Sequence, residues 1–124
     1  RMSYREICGI RAIRTEFGTF LGVSGEWGVC QAPLKYQWTI EDHNGKVALK
    51  TMHSDGRWLR QYDDVRVELQ EHCRACELWT PVPNADGSWS FCAANGRWLA
   101  GTGDGQVLIQ PHKRSSERFW IDRC

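Results

Sequence analysis

The sequence predicts an all-β fold built from three copies of a four-stranded unit. Three observations support this prediction. One short pattern of glycine, an aromatic residue and leucine, followed by a turn and an apolar strand, occurs three times about 40 residues apart. Segments between turn-forming residues are short and rich in β-branched and aromatic residues. No long stretch has the 3.6-residue apolar period of a helix.

The third copy shows the pattern most clearly. Residues 96–100 (GRWLA) begin a strand, the Gly/Asp cluster at 103–105 turns the chain, and the apolar run 106–110 returns. The second copy repeats this order between Gly56 and Gln70, and a weaker version runs from Gly18 to Gln31. Each copy is therefore predicted to contain one hairpin.

Equivalent positions in the three copies predict the core. The hairpin leucines are expected to form one layer: Leu21, Leu59 and Leu99. Tryptophans spaced 41 residues apart are expected to form another: Trp38, Trp79 and Trp120. An apolar residue before a glutamine defines a third set: Cys30, Leu69 and Ile109. Cys30 is therefore expected to be a small buried residue.

A strand before each hairpin and a closing strand after it complete the unit. The preceding strands are predicted within residues 7–13, 46–52 and 88–93. A unit of this size also resembles a propeller blade, but propellers need at least about four blades. Three copies favour a β-trefoil, a closed barrel capped by three hairpins.

The predicted trefoil covers residues 7–124 and follows an N-terminal segment, residues 1–6. In that segment Arg1 is expected to be a cloning remnant, because it precedes Met2. The three copies are placed at about 7–43, 44–83 and 84–124.

Length and composition restrict the function classes. The 124 residues suffice for one domain, and a formal net charge of +1 argues against a nucleic-acid partner bound through bulk charge. No apolar run approaches the roughly 20 residues of a membrane-spanning helix. Six cysteines permit disulfides, but a domain of this size does not require them. A reduced, cytoplasmic protein is the leading expectation, and an extracellular one stays open.

Three segments resemble the β-trefoil domains of fascin, the actin-bundling protein. They are the Gly-Arg-Trp-Leu hairpin at 96–107, the closing strand QWTIE at 37–41, and the DGSWS segment at 86–90. The resemblance implies a non-enzymatic, cytoskeleton-associated module that binds actin filaments or another protein. Fascins carry four trefoils in tandem, whereas this sequence accounts for one.

Basic residues in the loops before the closing strands are the candidates for contact with the acidic surface of actin. They are Lys35, Lys113, Arg114 and Arg118. The alternative interpretation of these residues is a solvated charged loop. Arg57 and Arg97 follow equivalent hairpin glycines, which indicates a structural role such as stacking on a tryptophan.

A carbohydrate-binding trefoil is the competing hypothesis. Such a site pairs an exposed aromatic ring with an Asp or Asn near a hairpin. The second copy offers Asp55, Trp58 and Tyr62, and the third offers Asn95, Trp98 and Asp104. The Gln-x-Trp signature of ricin-type lectin repeats is absent from the sequence.

Catalysis, cofactors and metals find little support in the sequence. There is no nucleophile elbow, phosphate-binding glycine loop or His-Glu-x-x-His. The pair Cys73 and Cys76 lacks a second pair at zinc-site spacing, so free thiols are expected. Asp63 and Asp64 are expected in a solvated turn. The sequence therefore predicts no enzyme, no catalytic residue, no cofactor and no metal site.

Overall fold

The computed structural model describes residues 3–52 and 56–124, and the described chain is all-β. The first four strands are β1 (Gly9–Thr15), β2 (Phe20–Ser24), β3 (Gly28–Ala32) and β4 (Trp38–His43). The next four are β5 (Lys46–Thr51), β6 (Trp58–Gln61), β7 (Val67–Gln70) and β8 (Thr80–Pro83). The last four are β9 (Trp89–Cys92), β10 (Trp98–Gly101), β11 (Val107–Gln110) and β12 (Phe119–Arg123). Short 3-10 helices cover Tyr4–Ile7, Ala75–Glu77 and Ser115–Glu117.

Six of these strands close into a barrel-like ring. Strand β1 pairs antiparallel with β12 and β4, β4 pairs with β5, β8 pairs with β9, and β9 pairs with β12. The ring closes between β5 and the residue before β8, where Val47 and Trp79 exchange two backbone hydrogen bonds of 2.8 Å. Closure leaves these six strands without an open sheet edge.

The other six strands form the three predicted hairpins, β2–β3, β6–β7 and β10–β11. The hairpins also contact one another. The Leu69 N–H donates to the Trp27 carbonyl at 2.8 Å, and the Ile109 N–H donates to the Val65 carbonyl at 2.9 Å. The segment 68–78 has helical propensity, but the repeat pattern predicts Leu69 on one strand and Leu78 and Trp79 on the next. The structure places Leu69 in β7, followed by a short 3-10 turn, and begins β8 at Thr80, directly after Trp79.

The leucine layer of the predicted core is confirmed. Leu21, Leu59 and Leu99 are each completely buried and belong to one hydrophobic cluster. Each begins a hairpin at the same place, because each lies one residue after the first residue of its strand. The leucine repeated in the sequence therefore occupies an equivalent position in each of the three copies.

The tryptophan layer is confirmed for two copies and wrong by one residue in the third. Trp38 and Trp79 are completely buried, and their indole N–H groups donate to the carbonyls of Leu21 (2.9 Å) and Leu59 (3.1 Å). In the third copy Phe119 is completely buried, whereas Trp120 is only half-buried. Neighbouring residues of a strand point to opposite faces, so a shift of one position exchanges the inner side chain for the outer one.

The prediction for Cys30 is also wrong by one residue. Leu59 faces Leu69 and Leu99 faces Ile109, but Leu21 faces Gln31 across its hairpin, and Cys30 is only half-buried. The Gln31 amide nitrogen donates to the carbonyls of Thr102 (2.7 Å) and Gln106 (2.8 Å). The polar Gln31 is accommodated at this position because its side-chain amide hydrogen-bonds to the turn of the third hairpin.

No helix within residues 3–52 and 56–124 is long and apolar enough to cross a membrane.

Candidate functional site

A cleft in the third copy lies between the β8–β9 turn and the loop that precedes β12. Its volume is about 530 Å³, within the usual range for ligand sites. The lining residues are Asn84, Ala85, Asp86, Lys113, Arg114, Ser115 and Arg118. We call this group the β12-loop cleft.

A tight turn positions the acidic side of the cleft. The Asn84 N–H donates to the Ser88 carbonyl at 2.8 Å, and Gly87 adopts φ +89°, a conformation that favours glycine. Asp86 accepts hydrogen bonds from the side chain and the backbone N–H of Ser88, which lower the pKa of its carboxyl. Asp86 is therefore held ionised at one wall of the cleft.

Arg118 crosses the cleft to this carboxylate. Its Nη1 donates to Asp86 Oδ2 at 2.7 Å, and its Nη2 lies 3.6 Å from Glu16 Oε2. Its guanidinium carbon also lies 5.6 Å from the centre of the Trp120 ring. These contacts fix the Arg118 side chain and neutralise part of its charge.

Lys113 and Arg114 form the basic wall. The Lys113 ammonium donates to Asn84 Oδ1 at 2.8 Å and lies 5.8 Å from the centre of the Trp98 ring. The Arg114 N–H donates to Glu117 Oε1 at 2.6 Å, which sets the 3-10 turn, while its own side chain is exposed. Burial raises the pKa of the Glu117 carboxyl. The wall thus presents exposed cations above a buried acidic group.

The cleft contains most of the basic actin candidates and lies beside one carbohydrate candidate. Three of the four candidate actin contacts, Lys113, Arg114 and Arg118, line it, and the carbohydrate candidate Trp98 lies against Lys113. The fourth actin candidate, Lys35, lies outside the lining and donates to the Arg123 carbonyl at 3.2 Å.

Two of the second-copy carbohydrate candidates, Trp58 and Tyr62, each pack against a basic side chain. The Trp58 indole N–H donates to Glu41 Oε1 at 2.8 Å, and the Lys50 ammonium lies 5.0 Å from the centre of its ring. Tyr62 is 44% exposed, and the guanidinium carbon of Arg66 lies 4.7 Å from the centre of its ring. Asp55 lies outside the described residues.

The remaining third-copy candidates, Asn95 and Asp104, make their hydrogen bonds to groups other than Trp98. Asn95 contacts the second hairpin, since its N–H donates to Gln61 Oε1 at 3.1 Å. Asp104 belongs to the β10–β11 turn, where it accepts hydrogen bonds from Thr102 and Gln106. Asn95 thus lies in the β9–β10 connection and Asp104 in a hairpin turn.

Sequence reasoning missed Asn84, Asp86 and Ser115 as site residues. The sequence marks Asp86 only as part of segment 86–90, which resembles fascin. The available signal was the loop between the third and fourth strands, which differs most among the copies. In the third copy this loop, residues 111–117, folds against the turn that contains Asp86.

The equivalent arginines after the hairpin glycines make different contacts. The Arg57 guanidinium stacks on the Trp27 ring at 4.2 Å, which confirms the stacking prediction for that copy. Arg97 instead lies 3.8 Å from Asp64 Oδ1. Each arginine therefore links the start of its own copy's hairpin to the hairpin turn of the preceding copy. That turn contains Trp27 in the first copy and Asp64 in the second.

A smaller cleft occupies the corresponding place in the second copy. Its volume is about 260 Å³, and it is lined by Arg60, His72, Arg74, Ala75, Cys76 and Glu77. We call it the β8-loop cleft.

All six cysteines of the described chain are free thiols. Within residues 3–52 and 56–124 no group of three or more His, Cys, Asp or Glu side chains could hold a metal ion.

Comparison with known proteins gives a structural relationship. No protein-family model matches the chain, and no curated protein matches it in sequence. Among solved structures, the chain is similar to that of SeviL bound to the asialo-GM1 saccharide, with a TM-score of 0.77 and 15% sequence identity. The similarity covers 92% of this chain and 96% of the SeviL chain. At this identity the similarity establishes a shared all-β, barrel-like fold.

Proposed function

We propose that the chain is a non-enzymatic carbohydrate-binding module with a β-trefoil fold. The closed ring of six strands and the three hairpins support the trefoil assignment. The fold shared with SeviL, whose structure contains a saccharide, favours carbohydrate over actin as the ligand.

The β12-loop cleft is the observation that carries the proposal. A saccharide presents many hydroxyl groups, each of which donates and accepts hydrogen bonds. The carboxylate of Asp86 and the amide of Asn84 offer acceptors, and Lys113 and Arg114 offer donors. The half-buried Trp98 lies beside this lining, 5.8 Å from the Lys113 ammonium, and offers an aromatic surface next to the cleft.

A glycan array that includes the asialo-GM1 saccharide tests the proposal. A glycan that binds is then titrated by calorimetry against the wild type and the double variant Lys113→Ala/Arg114→Ala. Both side chains are exposed, so we expect a native fold and an affinity at least tenfold weaker.

Lys35→Ala is the matched control, since it removes an exposed lysine outside the cleft. Its affinity should equal that of the wild type. Absence of binding to every glycan, or equal losses in the control and the double variant, would contradict the proposal.

Actin-filament binding, which the fascin resemblance implies, ranks second. The four basic candidates are divided between the cleft and the Lys35 loop, and Asp86 and Glu16 neutralise part of the Arg118 charge. This arrangement offers a weaker basic surface than the sequence suggests. Co-sedimentation with actin filaments distinguishes the two functions.

A further inference from the structure

The β8-loop cleft contains two buried polar atoms without hydrogen bonds. Glu77 is 1% exposed, and its Oε2 has no hydrogen-bond partner among the described residues. The same is true of Arg60 Nε, which lies 3.7 Å from Glu77 Oε2. The two atoms attract each other electrostatically, but the distance is too long for a hydrogen bond.

The rest of the Glu77 carboxylate is fully engaged. Its Oε1 accepts the Arg74 N–H at 2.8 Å and lies 3.2 Å from His72 Nδ1. These contacts fix the orientation of the carboxylate, so Oε2 cannot turn away to find another donor. A buried acceptor and a buried donor therefore remain side by side in two residues that line a cleft, an arrangement that is unfavourable until a partner satisfies both.

A hydroxyl group satisfies both atoms at once. It donates its hydrogen to Glu77 Oε2 and accepts the N–H of Arg60 Nε with an oxygen lone pair. A carboxylate or phosphate would satisfy only the arginine, and an ammonium would satisfy only the glutamate. The unpaired atoms therefore favour a ligand group that donates and accepts together, as the hydroxyl groups of a saccharide do.

The two clefts occupy equivalent places in the repeat. Arg74 and Arg114 each precede a 3-10 turn, and each N–H donates to the glutamate three residues later, at 2.8 and 2.6 Å. The glutamates Glu77 and Glu117 are both buried, and each lies two residues before the buried aromatic residue of its copy.

The first copy lacks this arrangement. Counted back from Trp38, the positions equivalent to Arg74 and Glu77 hold Pro33 and Tyr36, and residues 33–36 form no 3-10 helix. The repeat therefore supplies two clefts of this kind within the described chain.

We propose that the β8-loop cleft is a second saccharide site, in which a sugar hydroxyl bridges Glu77 Oε2 and Arg60 Nε. The chain is then bivalent, with one site in the second copy and one in the third. The inference rests on the proposed carbohydrate-binding function. A bivalent monomer links two glycans on one surface and gains avidity from the second contact.

Amide NMR spectra of the 15N-labelled chain test this inference. The probes are galactose, N-acetylgalactosamine and the asialo-GM1 saccharide, each titrated separately. We expect two groups of shifted amides with independent saturation curves, one at residues 72–77 and one at residues 113–118. Arg74→Ala, an exposed position, should weaken binding at the first group at least tenfold and leave the second unchanged.

Arg114→Ala is the matched variant and should produce the opposite pattern. Shifts confined to residues 113–118, unaffected by Arg74→Ala, would overturn the second site while sustaining the proposed function, and would assign only a water molecule to the Glu77–Arg60 pair. Absence of shifts in both groups with all three probes would overturn the proposed function and the second site together.

Discussion

Replacing Trp79 by phenylalanine measures the contribution of the indole to the closed ring. Trp79 is completely buried, donates its indole N–H to the Leu59 carbonyl at 3.1 Å, and forms the backbone bridge to Val47. The equivalent position in the third copy is Phe119, so the protein already accommodates a phenyl ring at this level of its core. The variant Trp79→Phe is therefore expected to fold.

The cost follows from two losses. The hydrogen bond to Leu59 contributes about 1 kcal/mol net. The two ring carbons that a phenyl group lacks contribute about 0.8 kcal/mol each when buried. The free energy of unfolding should therefore fall by about 2.5 kcal/mol. With a urea dependence of about 2 kcal/mol per molar, the unfolding midpoint should fall by about 1 M.

Urea unfolding followed by far-UV circular dichroism measures the difference, and Trp120→Phe is the matched control. Trp120 is half-buried, and its ring carries the guanidinium groups of Arg14 and Arg118 at 5.5 and 5.6 Å from its centre. Weakening these cation–π contacts should lower the free energy of unfolding by less than about 1 kcal/mol. A larger loss in Trp120→Phe than in Trp79→Phe would refute the assignment of Phe119 to the core position.

Two further predictions concern titratable groups. The backbone N–H groups of Arg66 and Val65, followed by the Arg66 guanidinium, lower the pKa of Asp63 to about 2. Its contribution to stability is complete above pH 4 and lost as the pH falls towards 2, so Asp63→Asn should flatten the acid dependence of unfolding in that window, and a carboxyl NMR titration should give the low pKa directly. All six cysteines should react with a thiol reagent after unfolding. In the native protein Cys124, which is exposed, should react before Cys8, Cys73 and Cys92, because burial raises the pKa of those three thiols; mass spectrometry of the labelled peptides gives the order.

Repetition made the fold predictable. The hairpins and the leucine layer follow from a pattern that occurs three times. The clear copies make it possible to recognise the weaker one. The predictions for Trp120 and Cys30 are wrong because, in each case, the equivalent position is displaced by one residue relative to the other two copies. Spacing alone cannot detect such a shift, because inner and outer positions of a strand are adjacent in the chain.

The site was less predictable, because its residues come from separate turns. Asn84 and Asp86 lie about 30 residues before Lys113 and Arg118 in the sequence, and only the closure of the ring brings them together. The sequence identified the basic residues and Trp98 but assigned them to different ligands. Trp58 is half-buried like Trp98, but its indole N–H is engaged by Glu41, a contact that the sequence does not reveal.

The two clefts show how a repeated frame acquires different binding properties. Copies two and three keep the arginine and the buried glutamate that shape the 3-10 turn, yet their surroundings have diverged. Arg60 of the second copy corresponds to the buried Ala100 of the third, so only Glu77 has an arginine at its free oxygen. Conversely, Arg118 replaces Leu78 and brings Asp86 into the third-copy cleft. The smaller cleft is thus organised around a buried donor–acceptor pair and the larger one around exposed charges. Two sites built on the same backbone turn should therefore prefer different parts of a glycan.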